Sequence, residues 1–220
     1  LEILLGSIII IKINYHEGDK IMGLFGPSKK EIWQQLAEEI HADYVNNGFW
    51  SGDRVEAHVD NWIVTLDTYT VSTGKSSITY TRMRAPFVNL DNFYFKIYRS
   101  GLFSGIGKIL GMEDINIGCE EFDEDFVIKS NSEEKVRQLF SNQSIRSLIQ
   151  GQPHINLEIK DDEGFFKAHF PEGVDELYFQ VTGVIKDIDR LKELYELFSE
   201  VLKELCSMGL ASAEEPGIVL

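Results

Sequence analysis

Positive charge is in short supply along this chain: 21 Lys and Arg stand against 36 Asp and Glu, for a formal net charge of -15. Gripping a nucleic acid requires clustered cations that displace counterions from phosphates. The long-range field here instead repels polyanions and the anionic inner leaflet of a membrane. The nearest approach to a basic patch is "TRMR", with Arg82 and Arg84, so the charge balance argues against nucleic acid as a partner. Cysteine is equally sparse. Cys119 and Cys206 are the only two and form no CxxC pair, usage that suits a reducing compartment and predicts a cytoplasmic protein with two unpaired thiols. In that setting "NQS" at Asn142 is a chance match to the glycosylation acceptor.

Long apolar runs are missing too. The best, "ILLGSIIIIKI", is broken by Lys12 and falls short of the roughly 20 residues that cross a bilayer. It also lacks the basic flank and small-residue cleavage site of a secretory signal, so no membrane span is expected. Residues 1–21 differ in character from the chain beyond Met22. "EGDKIM" can be encoded by a purine-rich stretch ahead of ATG, as in a bacterial ribosome-binding site, which predicts that 1–21 are translated upstream sequence and that the native chain starts at Met22.

Phosphate-binding loops are absent in substance, although two stretches imitate them. "GKSS" at 74–77 ends like such a loop, but Tyr69 occupies the position of the first Gly and a strand pattern follows instead of a helix. Gly74 is better explained as a hairpin turn, where a positive φ carries no steric cost. "GLFSGIGKILG" fails likewise, with Leu102 in place of the first Gly and Ile109 in place of the magnesium-binding hydroxyl. The acidic run "CEEFDED" lacks the alternating ligands, central Gly and closing Glu of a calcium loop and reads as a solvated edge. No nucleophile elbow or dinucleotide fingerprint occurs. His16, His41, His58, His154 and His169 are scattered without ligand spacing. No cofactor and no metal are expected. Cys119 sits beside Glu120 and Glu121, neighbours that disfavour a thiolate.

What is present is a clear alternation of helix and strand signals. Ser28 and Glu31 have capping-box spacing, and Ile32, Trp33, Leu36, Ala37 and Ile40 recur at helical intervals. "RVEAHV", "WIVTLDTYTV", "SSITYTRMRAPF" and "FYFKIY" come next as four strands, most economically a meander. In the second, Trp62, Val64 and Leu66 share one face, with Ile63, Thr65, Asp67 and Tyr69 on the other. In the third, Ile78, Tyr80, Arg82 and Arg84 oppose Thr79, Thr81, Met83 and Ala85. Pro86 is expected to limit backbone pairing.

The second half reads as a strand at Phe126–Lys129, then a helix capped by Ser130 or Asn131 with a break near Ser141 and Asn142. "INLEIKD", "FFKAHF" and "LYFQVTGVI" continue as strands, and the last helix is capped by Asp187. The expected fold is α+β: antiparallel sheet in one piece or two β-rich lobes, with three to four helices. The expected divisions are 22–100 (helix and four strands), 101–119 (connecting loop), 120–206 (strand, helix, three strands, helix) and 207–220 (loose tail).

"YTRMRAPFVN", "IGKILGMEDINIG", "FDEDFVIKSN" and "EGVDELYFQVTGVIKDI" together resemble a group of uncharacterised bacterial proteins of unknown function, over about Pro27 to Cys206. The resemblance implies a cytosolic bacterial-type protein with Met22 as its start, and it transfers no functional residue. The leading expectation is a soluble, non-catalytic interaction or ligand-binding module, with Phe49, Trp50 or Phe165 as partner anchors. The competing class is an enzyme whose site is assembled from Asp67, Arg82 and Arg84, with His58 and His169 as the histidines to inspect for proximity. A homodimer through the last helix is a further expectation, since Ile188, Leu191, Tyr195, Phe198, Leu202 and Leu205 step at coiled-coil intervals. Leu194, Leu197 and Val201 widen that stripe, which favours packing on a sheet.

Overall fold

A computed structural model describes residues 26–46, 48, 52–72, 74–101, 113–161, 170–218 and 220. Among the described residues nine strands form one antiparallel sheet: β1 (Asp43–Asn46), β2 (Asp53–Val59), β3 (Trp62–Ser72), β4 (Ser77–Val88), β5 (Phe95–Arg99), β6 (Glu113–Asp114), β7 (Phe126–Ser130), β8 (Asn156–Lys160) and β9 (Val174–Thr182). Their spatial order is β1-β2-β3-β4-β9-β8-β5-β7-β6. Five helices are present among the described residues: α1 (Lys29–Glu39), α2 (Glu120–Asp125), α3 (Glu133–Leu139), α4 (Gln143–Gly151) and α5 (Ile188–Ser207). The class is α+β, as the sequence predicts. The helix count exceeds three to four because the acidic run "EEFDED" coils into α2, where Phe122 is buried against Phe126 and Phe140.

Period-two alternation places Val55, Val64, Leu66, Met83, Ala85, Phe95, Ile97, Leu157, Leu177 and Phe179 on one face, where they share a core with Trp33, Leu36, Val136, Leu139, Ile145 and Ile149 from the helices. α5 contributes Leu191, Leu194, Tyr195, Leu197, Phe198, Val201, Leu202 and Leu205, all buried. Its apolar stripe is thus consumed within the chain. Two hydrogen bonds pin the layers together: the Trp33 indole donates to the Ile185 carbonyl at 3.2 Å, and the Tyr195 hydroxyl donates to the Val55 carbonyl at 3.0 Å. No helix of the described residues is long and apolar enough to cross a membrane.

Caps fall close to where the residue types demand. Ser28 and Glu31 form the reciprocal box at α1, and Asp187 accepts the Arg190 amide at α5. Asn142 starts α4 by accepting the Ser144 and Ile145 amides, which is the predicted break. The cap of α3 is Ser132 rather than Ser130 or Asn131, because Ser130 is the last residue of β7, where its hydroxyl oxygen accepts the Ser132 amide at 3.1 Å while donating to the Tyr94 carbonyl at 2.8 Å.

The four-strand meander holds for three strands only. β2, β3 and β4 are consecutive neighbours, but β5 lies between β8 and β7, and β9 takes the place beside β4. β9 is buried from Val174 to Phe179 on both faces, so it belongs in the sheet interior. The chain leaves β4 at Asn89, whose side-chain oxygen accepts the Phe93 amide at 3.2 Å. Pro86 does not end β4. The β3–β4 ladder stops at Thr65–Arg84, short of the residue without an amide donor, while pairing with β9 continues to Val88. The strand expected at "FFKAHF", the lead at 1–21, His16, His169, Phe49, Trp50, Phe165 and most of the connecting loop 101–119 lie outside the described residues.

Candidate functional site

The face of the sheet opposite the core carries the charged and aromatic side chains that alternation assigns to it. Asp67 on β3 stands directly across from Arg82 on β4, and Arg84 lies two residues along the same face. The Asp67 carboxylate accepts from Arg82 Nε at 2.6 Å and Nη2 at 3.0 Å, and from Arg84 Nη2 at 2.7 Å. The three side chains are only 14%, 11% and 6% exposed. Charge-assisted bonds in such a setting are strong and fix orientation, particularly where a guanidinium grips both carboxylate oxygens.

Around this centre the tertiary pairing adds partners. The Tyr69 and Tyr178 hydroxyls both donate to Gln180 Oε1, at 2.7 and 2.9 Å. Tyr69 stacks on its cross-strand partner Tyr80 with centroids 5.2 Å apart, and the Arg82 guanidinium lies 5.0 Å over the Tyr69 ring. One strand further, Lys160 sits 3.4 Å over the Tyr178 ring and 3.1 Å from the buried Glu176 carboxylate. Lys96 reaches Glu158 at 2.8 Å. Burial is the main reason the Tyr178 phenol is held well above its ordinary range.

A separate polar latch lies at the far end of β4 and β9. Asn89 Nδ2 donates to Asp175 at 2.5 Å and to the Phe93 carbonyl at 3.1 Å, while the Tyr94 hydroxyl donates to Asp175 at 3.4 Å. Burial raises the Asp175 carboxyl, and burial beside Asp175 pushes Tyr94 up to about 12.

Of the residues nominated from sequence, Asp67, Arg82 and Arg84 are therefore brought into contact. His58 is not among them. It is an exposed residue opposite Ile63 on β3, four residues from Asp67, or about 13 Å at strand rise. His169 lies outside the described residues. Sequence alternation already put Tyr69 and Tyr80 on the right face. Gln180, Tyr178, Glu176 and Lys160 were not nominated, because only the β4–β9 and β8–β9 pairings bring them alongside. Among the described residues no group of three or more His, Cys, Asp or Glu is placed to hold a metal ion. Both Asp67 oxygens are engaged by guanidinium groups.

No family model matches the chain, and no curated protein matches it. Among solved structures it is similar to the mycobacterial trehalose monomycolate transport factor A, TtfA, at 11% identity and a TM-score of 0.44, over 80% of this chain and 95% of that one.

Proposed function

We propose that the protein is a non-catalytic interaction module of the cytoplasm, and that it engages a protein partner through the projecting end of the β3–β4 hairpin. The observation that carries this is that three of the four large apolar side chains exposed among the described residues group there, Leu90 at the far end of β4 being the fourth. Val71 and Ile78, 44% and 38% exposed, are cross-strand partners near the hairpin tip. Val184, also exposed, comes after Gly183, whose amide bonds the Thr79 carbonyl beside Ile78. Isolated exposed apolar residues need no explanation, whereas a contiguous group of them on a monomer marks an interaction surface. This group continues into the Tyr69–Tyr80 stack and the Arg82 guanidinium, residue types that dominate binding hot spots.

The ion cluster supports the same conclusion. An enzyme built on Asp67, Arg82 and Arg84 needs a group free to act, and here one carboxylate is shared by two guanidinium groups, which stiffens the base of the arm. Both cysteines are free thiols, which supports a reducing compartment. A homodimer through α5 would have to use the helix's polar side, since the apolar stripe is internal.

The test is affinity capture followed by cross-linking with the wild-type chain and with Val71→Asp/Ile78→Asp. A partner should be retained by the wild type and lost by the variant while the thermal melt stays unchanged. Equal capture by both chains would defeat the proposal, and so would a wild type that captures nothing. Light scattering at high concentration addresses self-association separately.

A further inference from the structure

β3 outlasts one of its two neighbours. Its ladder with β2 ends where Val55 pairs with Leu66, whereas its ladder with β4 runs on to Ser72 and Ser77. The β2–β3 turn fixes which backbone groups this leaves over. Val59 and Trp62 close a two-residue loop, so they form a hydrogen-bonded pair, and alternation aims the backbone groups of Val64, Leu66, Thr68, Thr70 and Ser72 the same way. The far side of the hairpin agrees. Gly183 donates to the Thr79 carbonyl at 2.7 Å, so odd-numbered residues of β4 face β9, and even-numbered ones bond β3 at Asp67, Tyr69 and Val71. The amides and carbonyls of Thr68, Thr70 and Ser72 therefore point past the end of β2, and among the described residues they make no hydrogen bond on that side. Thr70, Val71 and Ser72 are exposed.

Sheet edges are commonly blunted by lysine, proline or a bulge. "TYTVS" at 68–72 contains neither residue, and it pairs with β4 without a bulge. A net charge of -15 repels a second copy of the chain, yet Lys75 is the only charged residue in 68–81, so two arms can meet without that penalty. The edge is also its own complement. In antiparallel pairing about a two-fold axis at Thr70, Thr68 opposes Ser72 of the copy and Thr70 opposes its own equivalent, so each free amide faces a free carbonyl. The same register sets Val71 against Tyr69 of the second copy, an aromatic and β-branched pair of the kind that stabilises sheets.

We propose that the protein forms a weak two-fold dimer by antiparallel pairing of β3 with β3 of a second copy over residues 68–72, which joins the two sheets across their arms. This rests on the arm being the interaction surface proposed above, and it names a second copy as what the edge meets. A contact of this length is small beside the interfaces of stable dimers, so association belongs to high concentration.

Sedimentation equilibrium of the full chain should show a mass rising from 25.1 kDa toward twice that value between about 0.01 and 1 mM. Thr70→Lys and Thr70→Glu each set like charges directly opposite one another on the axis, so either variant alone should stay at the single-chain mass. An equimolar mixture of the two should recover the wild-type rise, a recovery that misfolding does not produce. A wild type that stays at 25.1 kDa up to about 1 mM would overturn the proposal. Variants that associate like the wild type would overturn it too, and so would a mixture that stays monomeric. Hydrogen exchange on the wild type needs no variant: the amides of Thr68, Thr70 and Ser72 should exchange about tenfold more slowly in the concentrated sample, and equal rates at both concentrations would also refute the pairing. A monomeric wild type leaves the capture experiment with Val71→Asp/Ile78→Asp to decide the role of the arm, so the two proposals fail separately.

Discussion

Replacing Asp67 by Asn removes one charge while keeping size and shape, and the surroundings of that carboxylate set the size of the effect. Three charge-assisted bonds of 2.6, 3.0 and 2.7 Å converge on it. Asn offers one acceptor in place of two and turns an amide donor toward a guanidinium, so both arginines lose their shared anion. Breaking a buried pair from one side costs about 3–5 kcal/mol, whereas an exposed pair is worth about 0–1. With side-chain exposures of 14%, 11% and 6%, the cluster lies nearer the buried limit. A cost of about 3 kcal/mol is expected, discounted from that limit for the remaining solvent. For a chain of this size each kcal/mol moves Tm by about 2–4 °C, so the melt should fall by about 6–12 °C. Calorimetry and urea titration measure it, with an unchanged m-value showing that the unfolded reference has not moved. Glu133→Gln provides the comparison. It breaks the Arg137 pair at 45% and 63% exposure and should cost no more than about 0.5 kcal/mol. If Asp67→Asn costs as little as Glu133→Gln, the cluster is an ordinary surface pair and does not stiffen the arm.

The same geometry sets other expected outcomes. Asp175 is raised above its ordinary value of 3.8 mainly by burial, so the native state holds its proton more tightly than the unfolded chain, and stability should decline as pH rises from 3.8 through the raised value. Asp175→Asn should flatten that decline in urea titrations between pH 4 and 7; an unchanged slope would assign the proton elsewhere. Gly74 has φ +80° at the hairpin turn, and Gly74→Ala should cost about 1 kcal/mol. Added ATP or phosphate should leave the wild-type melt unmoved, since Lys75 lies in a turn between two strands and not at a helix start. Phe198→Ala empties a fully buried site on α5 and should cost about 3–5 kcal/mol; a loss under 1 in the same titration would mean that the helix is not seated on the core.

Local structure was legible because its causes are local. Ser28, Asn142 and Asp187 terminate helices through hydrogen bonds to amides two or three residues away, so their residue types suffice. The faces of β3 and β4 arise from side chains alternating every residue, which grouped Asp67 with Tyr69 on one strand and Tyr80 with Arg82 and Arg84 on the next; the β3–β4 register then set the two groups against each other. Ser132 displaced Ser130 as a cap because Ser130 is held at the end of β7, its hydroxyl donating to the Tyr94 carbonyl 36 positions away, a contact that no local window contains. Likewise the acidic stretch after Cys119 became a helix once Phe122 found the rings of Phe126 and Phe140.

Residue order alone was enough for the α+β class, most of the caps, the sharing of a face within each strand, and the hairpin turn at Gly74. Long-range packing had to settle that β9 and β8 part β4 from β5, that Gln180 and Tyr178 join the Asp67 face, and that β3 runs on past the end of β2. The difference is one of range. Backbone periodicity and capping are written within a few residues, whereas strand neighbours are chosen by burying surface across the whole chain, and a strand buried on both faces goes to the interior wherever it occurs in sequence.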